Sequence, residues 1–145
     1  MHTVAARQAA FLALYGPIED LQERLTLVVE AARTAPTVPP AARTADLLVD
    51  GCTSRVWLKS EYTAGVLRFA SASDSPLVHG LVALLCATYT DCTPADIAAT
   101  EPTILHDLAL WRNLSPTRQR GLTAVRTRLR ALALPHLPNS LRVTP

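Results

Sequence analysis

Eleven prolines punctuate the 145 residues of this chain, and their neighbours decide what each one does. A proline ring removes a backbone donor and clashes with the preceding helical turn, so it opens or ends a helix but does not sit inside one. In Ser75-Pro76, Thr93-Pro94 and Ser115-Pro116 a hydroxyl residue precedes the ring, the order of an N-cap followed by a residue preset for the first turn. Gly16-Pro17 and the Pro102 of "TEPT" read as two further starts. The cluster "TAPTVPPAART", Thr34 to Thr44, cannot be helical and reads as a loop inside one domain. At the far end "PHLPNS" cannot prolong whatever helix precedes it.

The spacing of apolar residues fills in the segments between. Ile18, Leu21, Leu25, Val28, Val29 and Ala32 recur at helical intervals and predict a helix over residues 17–33. After Pro76, the residues Leu77, Val78, Leu81, Val82, Leu84, Leu85 and Cys86 surround the helix axis, which marks a buried helix. The last helix carries Leu122, Val125, Leu129 and Leu132 on one stripe, with Arg120, Arg126, Arg128 and Arg130 on its flanks and back. Arg118 falls on the stripe itself, where a guanidinium needs a carboxylate, carbonyls or water. Three short runs, Leu47–Val49, Arg55–Lys59 and Val66–Phe69, predict an antiparallel meander with Val56 and Leu58 facing the core and Arg55, Trp57 and Lys59 on a partly wet face. The expected fold class is α+β: a small three-stranded antiparallel sheet packed against several α-helices. A single domain over 1–145 is expected, with its core at about 10–133 and a tail at 134–145.

Composition narrows the function classes. With 49% hydrophobic and 18% charged residues the chain is globular, and a chain of this length buries roughly 70% of its unfolded surface. A net charge of +2 and scattered arginines argue against nucleic acid. The longest apolar run, Leu81 to Ala87, falls short of the ~20 residues needed to cross a bilayer, so no membrane partner is expected. The N-terminus lacks the pattern of a secretory signal, and the expected location is cytoplasmic. Thiols there stay reduced, so the three cysteines need separate explanations.

Cys86, among leucines, reads as a small core hydrophobe, whereas Cys92 in "TDCTP" is expected to be exposed and incidental. Cys52 stands apart. In "LLVDGCTSRVWLKS" it follows Asp50-Gly51, a turn pair, so the thiol is expected at or just past a hairpin tip, where Thr53, Ser54 and nearby amides stabilise a thiolate. His2, His79, His106 and His136 show no zinc-ligand spacing with one another or with any cysteine.

The order "GCTSRVWL", "SDS" leading into "VHGLVALL", then "TPADI" and "LSPTRQRGL" resembles the SufE family of sulfur-acceptor proteins. The resemblance runs from "DLQERL" to about Leu132. It implies a fold shared with IscU-like scaffold proteins, and it implies that Cys52 accepts persulfide sulfur from a cysteine desulfurase of the SufS-like or CsdA-like kind. Cys52 would then stimulate that enzyme and relay the sulfur to an iron-sulfur cluster scaffold protein. Pyridoxal phosphate belongs to the desulfurase in such pairs, so no cofactor, metal or independent enzyme activity is expected here.

By the same resemblance Gly51 and Ser54 form the turn around the thiol. Ser73, Asp74 and Gly80 match a second motif, and Arg118 and Gly121 a third. Arg118 is expected to brace the loop from beneath through Asp74 or carbonyls, while Trp57, Leu58 and the helix after Pro76 are expected to line an apolar shelter for the sulfur. The chain departs from the family pattern at Asp50, Ala72, His79 and Cys92, and at Ala31-Ala32. Two other readings stay open: a metal or cluster scaffold using Cys52 as a ligand, and a thiol hydrolase or transferase with His79 or His106 as base.

Overall fold

A computed structural model describes residues 1–51 and 53–141. It contains helices α1 (Val4–Tyr15), α2 (Leu21–Ala31), α3 (Pro76–Tyr89), α4 (Pro94–Ala99), α5 (Ile104–Asp107) and α6 (Pro116–Ala133), and strands β1 (Val56–Thr63) and β2 (Val66–Ser73). Short 3-10 turns connect them. Three of the five proline starts stand as read: Ser75, Thr93 and Ser115 cap α3, α4 and α6, each hydroxyl accepting from the amide three residues on.

The other two starts are displaced. α2 begins at Leu21 because the Asp20 carboxylate accepts from the amides of Gln22 and Glu23, a stronger cap than Gly16-Pro17 offers. α5 begins two residues after Pro102. Helix α1 was not signalled by the sequence pattern, since only Val4 and Tyr15 of its twelve residues are buried. Its start is anchored across the fold, the Val4 amide donating to Asp96 Oδ2 at 2.6 Å.

Among the described residues the sheet has two strands where three were expected. β1 and β2 form an antiparallel hairpin in the register Val56↔Ser73 to Thr63↔Val66. The run Leu47–Val49 contributes a single bridge, Leu48↔Trp57, with the Val49 amide donating to Val56 O. It goes no further because a 3-10 turn over Ala45–Leu47 precedes it and Gly51, at φ +91°, follows. β2 instead gains isolated bridges to Thr37 and Cys92.

Val56 and Leu58 enter the main core, as the alternation requires. The opposite face is drier than expected: Trp57 is buried with Val38 and Ala72 beneath the proline-rich loop, flanked by the guanidinium groups of Arg43 and Arg55.

The hairpin turn contains a removable strain. Ala64 and Gly65 both take positive φ, 54° and 82°, as a two-residue primed turn demands, yet alanine disfavours that region. Ala64→Asn is therefore expected to stabilise the protein by about 0.5–1 kcal/mol in chemical denaturation. A loss of stability would show that the turn is not primed.

Helix α3 runs through the centre, buried on nearly all sides, and packs on β2, α2, α1 and α6. Its crossing with α2 depends on Gly80: a Cβ there would stand 2.8 Å from the Cα of Val29 and 2.9 Å from its Cγ2. Beside this crossing Arg24 is only 9% exposed. Its guanidinium donates to the carbonyls of Gly16, Ile18 and Leu108, tying the α1–α2 turn to the end of α5, with no carboxylate partner among the described residues. The arginine of "DLQERL" is thus a structural clamp.

Candidate functional site

The chain meets α6 at Asp46, at Gly51 and at Thr53 and Ser54. At one end the Arg128 guanidinium donates to Asp46 O at 2.9 Å. Val49 is buried in the core. Gly51 then turns the chain in the left-handed region, close enough to α6 that a Cβ on it would meet Ala124 Cβ at 3.5 Å. Thr53 and Ser54 come next, above a cavity of about 30 Å³ walled by Val78 of α3 and by Thr117, Arg118, Gly121 and Leu122 of α6. A recess of this size has room for a water-sized group.

At the other end the chain is fastened into the hairpin. Arg55 donates its amide to Asp74 Oδ1 at 3.0 Å and its Nε to Asp74 Oδ2 at 3.2 Å, while the Asp74 amide donates to Arg55 O. The strand pairing is thereby extended by one residue. Ser73 Oγ accepts from the Ser75 amide and so shapes the step from β2 into α3. Asp74 therefore serves as a fastener for the loop rather than as a helix-start charge. Both side chains are substantially exposed, so the ion pair adds little global stability and acts on local geometry.

The expected site residues fall into place unevenly. Gly51, Ser54, Ser73 and Asp74 come together around the segment, whereas Cys52 itself lies outside the described residues. Gly51 and Thr53 on either side of it are exposed. Arg118 corrects the helical-wheel reading. It is exposed because the buried stripe of α6 begins only at Gly121 and Leu122. It forms a wall of the small cavity but does not bond Asp74, whose carboxylate is taken by Arg55. Trp57 and Leu58 do not line that cavity, and Val78, Leu122 and Thr117 do. Arg55 was missed as a partner, although the hairpin register places it opposite Asp74 once the turn is set at residues 64–65.

The other two cysteines are both interior. Cys86 is 4% exposed and burial pushes its thiol up to about 12, the Ser71 hydroxyl offsetting this in part. Cys92, expected at the surface, is 0% exposed. The chain folds back there onto β2, with Asp91 at φ +61°, the Asp91 amide donating to Leu67 O and the Leu67 amide to Cys92 O. Burial first, then the carboxylates of Asp96 and Asp91, raise the Cys92 thiol to about 11. Near neutral pH both thiols stay protonated and shielded. At pH 8 the native protein is expected to offer one fast-reacting thiol to a disulfide reagent, and the unfolded protein three; two or more fast thiols in the native state would contradict this burial.

The two candidate bases stand on different helices, His79 on α3 and His106 on α5. His79 lies half-buried on α3, its Nε2 without a hydrogen-bond partner among the described residues, and burial followed by the Arg43 charge lowers its pKa below the usual imidazole value. His106 stacks near Trp111, with ring centroids 5.1 Å apart. Among the described residues no three His, Cys, Asp or Glu side chains are grouped to hold a metal ion, and no helix is long and apolar enough to cross a membrane.

Comparison with known proteins covers nearly the whole fold. Residues 11–133 match the SufE family, described as an Fe-S metabolism associated domain. An uncharacterized SufE-like protein of Rhizobium etli is 34% identical over 119 residues, covering 78% of this chain and 80% of that protein. A second, from Rhizobium meliloti, is 29% identical over 126 residues, covering 83% and 90%. Among solved structures, the solution structure of a hypothetical protein from Thermus thermophilus superposes with a TM-score of 0.73 at 21% identity, over 92% of this chain and 96% of that one.

Proposed function

The chain belongs to the SufE family, associated with Fe-S metabolism, and from that premise we propose that Cys52 is a sulfur acceptor serving a cysteine desulfurase. One observation carries the reading. Two of the three cysteines are buried with their thiols held protonated, whereas the third belongs to a segment whose neighbours on both sides are exposed and whose ends are fastened at Asp46 and Arg55.

The chemistry asks little of the acceptor beyond access and ionisation. The Cys52 thiolate attacks the terminal sulfur of a persulfide on the desulfurase cysteine. A new S–S bond forms on Cys52, the old one breaks, and the desulfurase cysteine leaves as a thiolate, with no net oxidation or reduction. Gly51 and the Arg55–Asp74 fastening set the course of the chain on either side of the acceptor position. The cavity beneath Thr53 and Ser54 gives the transferred sulfur a shelter from competing thiols until an iron-sulfur scaffold receives it.

Pyridoxal phosphate chemistry stays with the desulfurase, whose turnover rises because its persulfide is cleared. The test is direct. Adding this protein to a cysteine desulfurase is expected to raise the rate of alanine formation from cysteine in proportion to the protein added, until saturation. An unchanged rate across a saturating range would overturn the reading.

A further inference from the structure

The charge on α6 is one-sided. Its eighteen residues include Arg118, Arg120, Arg126, Arg128 and Arg130 and no acidic residue, in a chain whose whole net charge is only +2. Among the described residues one of the five, Arg126, has a carboxylate partner, Glu101 at 3.5 Å. Arg128 and Arg130 donate to the carbonyls of Asp46 and Ala98, and Arg120 donates to Thr117 Oγ1, so these bonds leave their charges unneutralised. The carboxylates nearest in sequence on the crossing segment are Asp46 and Asp50, while Asp74 is taken by Arg55.

Asp46, Gly51, and Thr53 with Ser54 lie along this helix, over Arg128, Ala124 and then Gly121 and Arg118 in turn. Arg120 projects to solvent from the same first turns whose Thr117 and Arg118 wall the cavity under Thr53 and Ser54. A protein seated over the exposed Gly51 and Thr53 is thereby brought next to the arginines in the first turns of α6.

We propose that the exposed α6 arginines, Arg118 and Arg120 foremost, are a docking surface for a partner protein whose rim around its own sulfur-bearing cysteine is acidic. This rests on the acceptor reading of Cys52 and adds the surface by which the donor recognises it. Complementary charge speeds encounter and sets orientation, and it suits transfer because the encounter is brief and the product must leave. The same field weakens in salt, with a screening length of about 10 Å at 0.1 M. A polyanion such as RNA is the competing occupant, although α6 has no aromatic residue on which bases would stack.

The experiment measures binding of the full chain to a cysteine desulfurase at low and high ionic strength, for the unaltered protein, Arg120→Gln, and Arg33→Gln as an exposed control of equal charge change on the turn after α2. Arg120→Gln is expected to weaken binding about three- to tenfold at low salt, the difference closing at high salt, while Arg33→Gln has little effect. Sulfur uptake by Cys52 from inorganic polysulfide should be unchanged in Arg120→Gln. Equal effects of the two variants, salt-independent binding, no binding to the desulfurase, or tighter binding to a single-stranded RNA would each overturn the docking surface. Salt-sensitive binding that depends on Arg120, with no sulfur arriving on Cys52 from either donor, would instead overturn the acceptor reading and leave the surface standing.

Discussion

Cys52→Ser is expected to reduce sulfur uptake from a desulfurase at least about a hundredfold, to background, because a serine oxygen is neither ionised near neutral pH nor able to hold sulfane sulfur in an S–S bond. Cys86→Ala and Cys92→Ala should keep uptake near the unaltered level in whatever fraction of each variant folds, since neither thiol is accessible or ionised. The triplet separates the acceptor from the two structural cysteines. Far-ultraviolet circular dichroism on all three variants distinguishes lost chemistry from lost fold. Appreciable uptake by Cys52→Ser would transfer the role to another residue.

The second large effect is on stability. Gly80→Ala places a methyl group 2.8 Å from the Val29 Cα, a backbone atom that cannot swing aside, so α2 and α3 must separate. Overpacking of this kind costs about 3 kcal/mol, and the better helix propensity of alanine returns about 1, for an expected net loss of about 2 kcal/mol. In thermal denaturation this lowers the midpoint by about 8 °C for a domain of this size. Val29→Ala combined with Gly80→Ala should recover only part of it, because removing Cγ2 leaves the clash with the Val29 backbone in place. A Gly80→Ala protein as stable as the parent would mean that the two helices do not approach so closely.

This crossing also explains a motif that sequence reading matched without a cause. The "HG" of α3 reads as part of a functional signature, yet its glycine serves packing, and the helix it admits carries Arg24, the clamp on the α1–α2 turn. Motif matching does not separate catalysis from packing, whereas a Cβ placed on the backbone does.

The legible parts of the fold are those with local causes. Hydroxyl-proline caps fixed three helix starts, and the two-residue alternation at Val56 and Leu58 gave the core face of β1. Misreadings arose where distant partners decide. The third strand shrank to one bridge because Gly51 turns the chain away, and Cys92 went inside because its polar turn pairs with β2. Trp57 found cover from Val38, nineteen positions away and beyond the reach of any helical or strand period. Arg118 lay on the stripe of an ideal wheel, but a wheel does not say where along the helix the neighbouring core stops.

For the site, the turn at Gly51 was readable from residue type alone, since the observed φ of +91° is one that glycine adopts freely. The fastening of Arg55 by Asp74 was not, because it depends on register across the hairpin. Of the expected lining, the helix after Pro76 contributes Val78, whereas Trp57 and Leu58 do not take part and the first turns of α6 do.

The resting place of a transferred sulfur atom tests the role of Cys52 most directly. After incubation with a cysteine desulfurase and cysteine, peptide mass spectrometry is expected to find one additional sulfur on Cys52 and none on Cys86 or Cys92. Sulfur on either buried cysteine, or a protein that emerges without any, would contradict it.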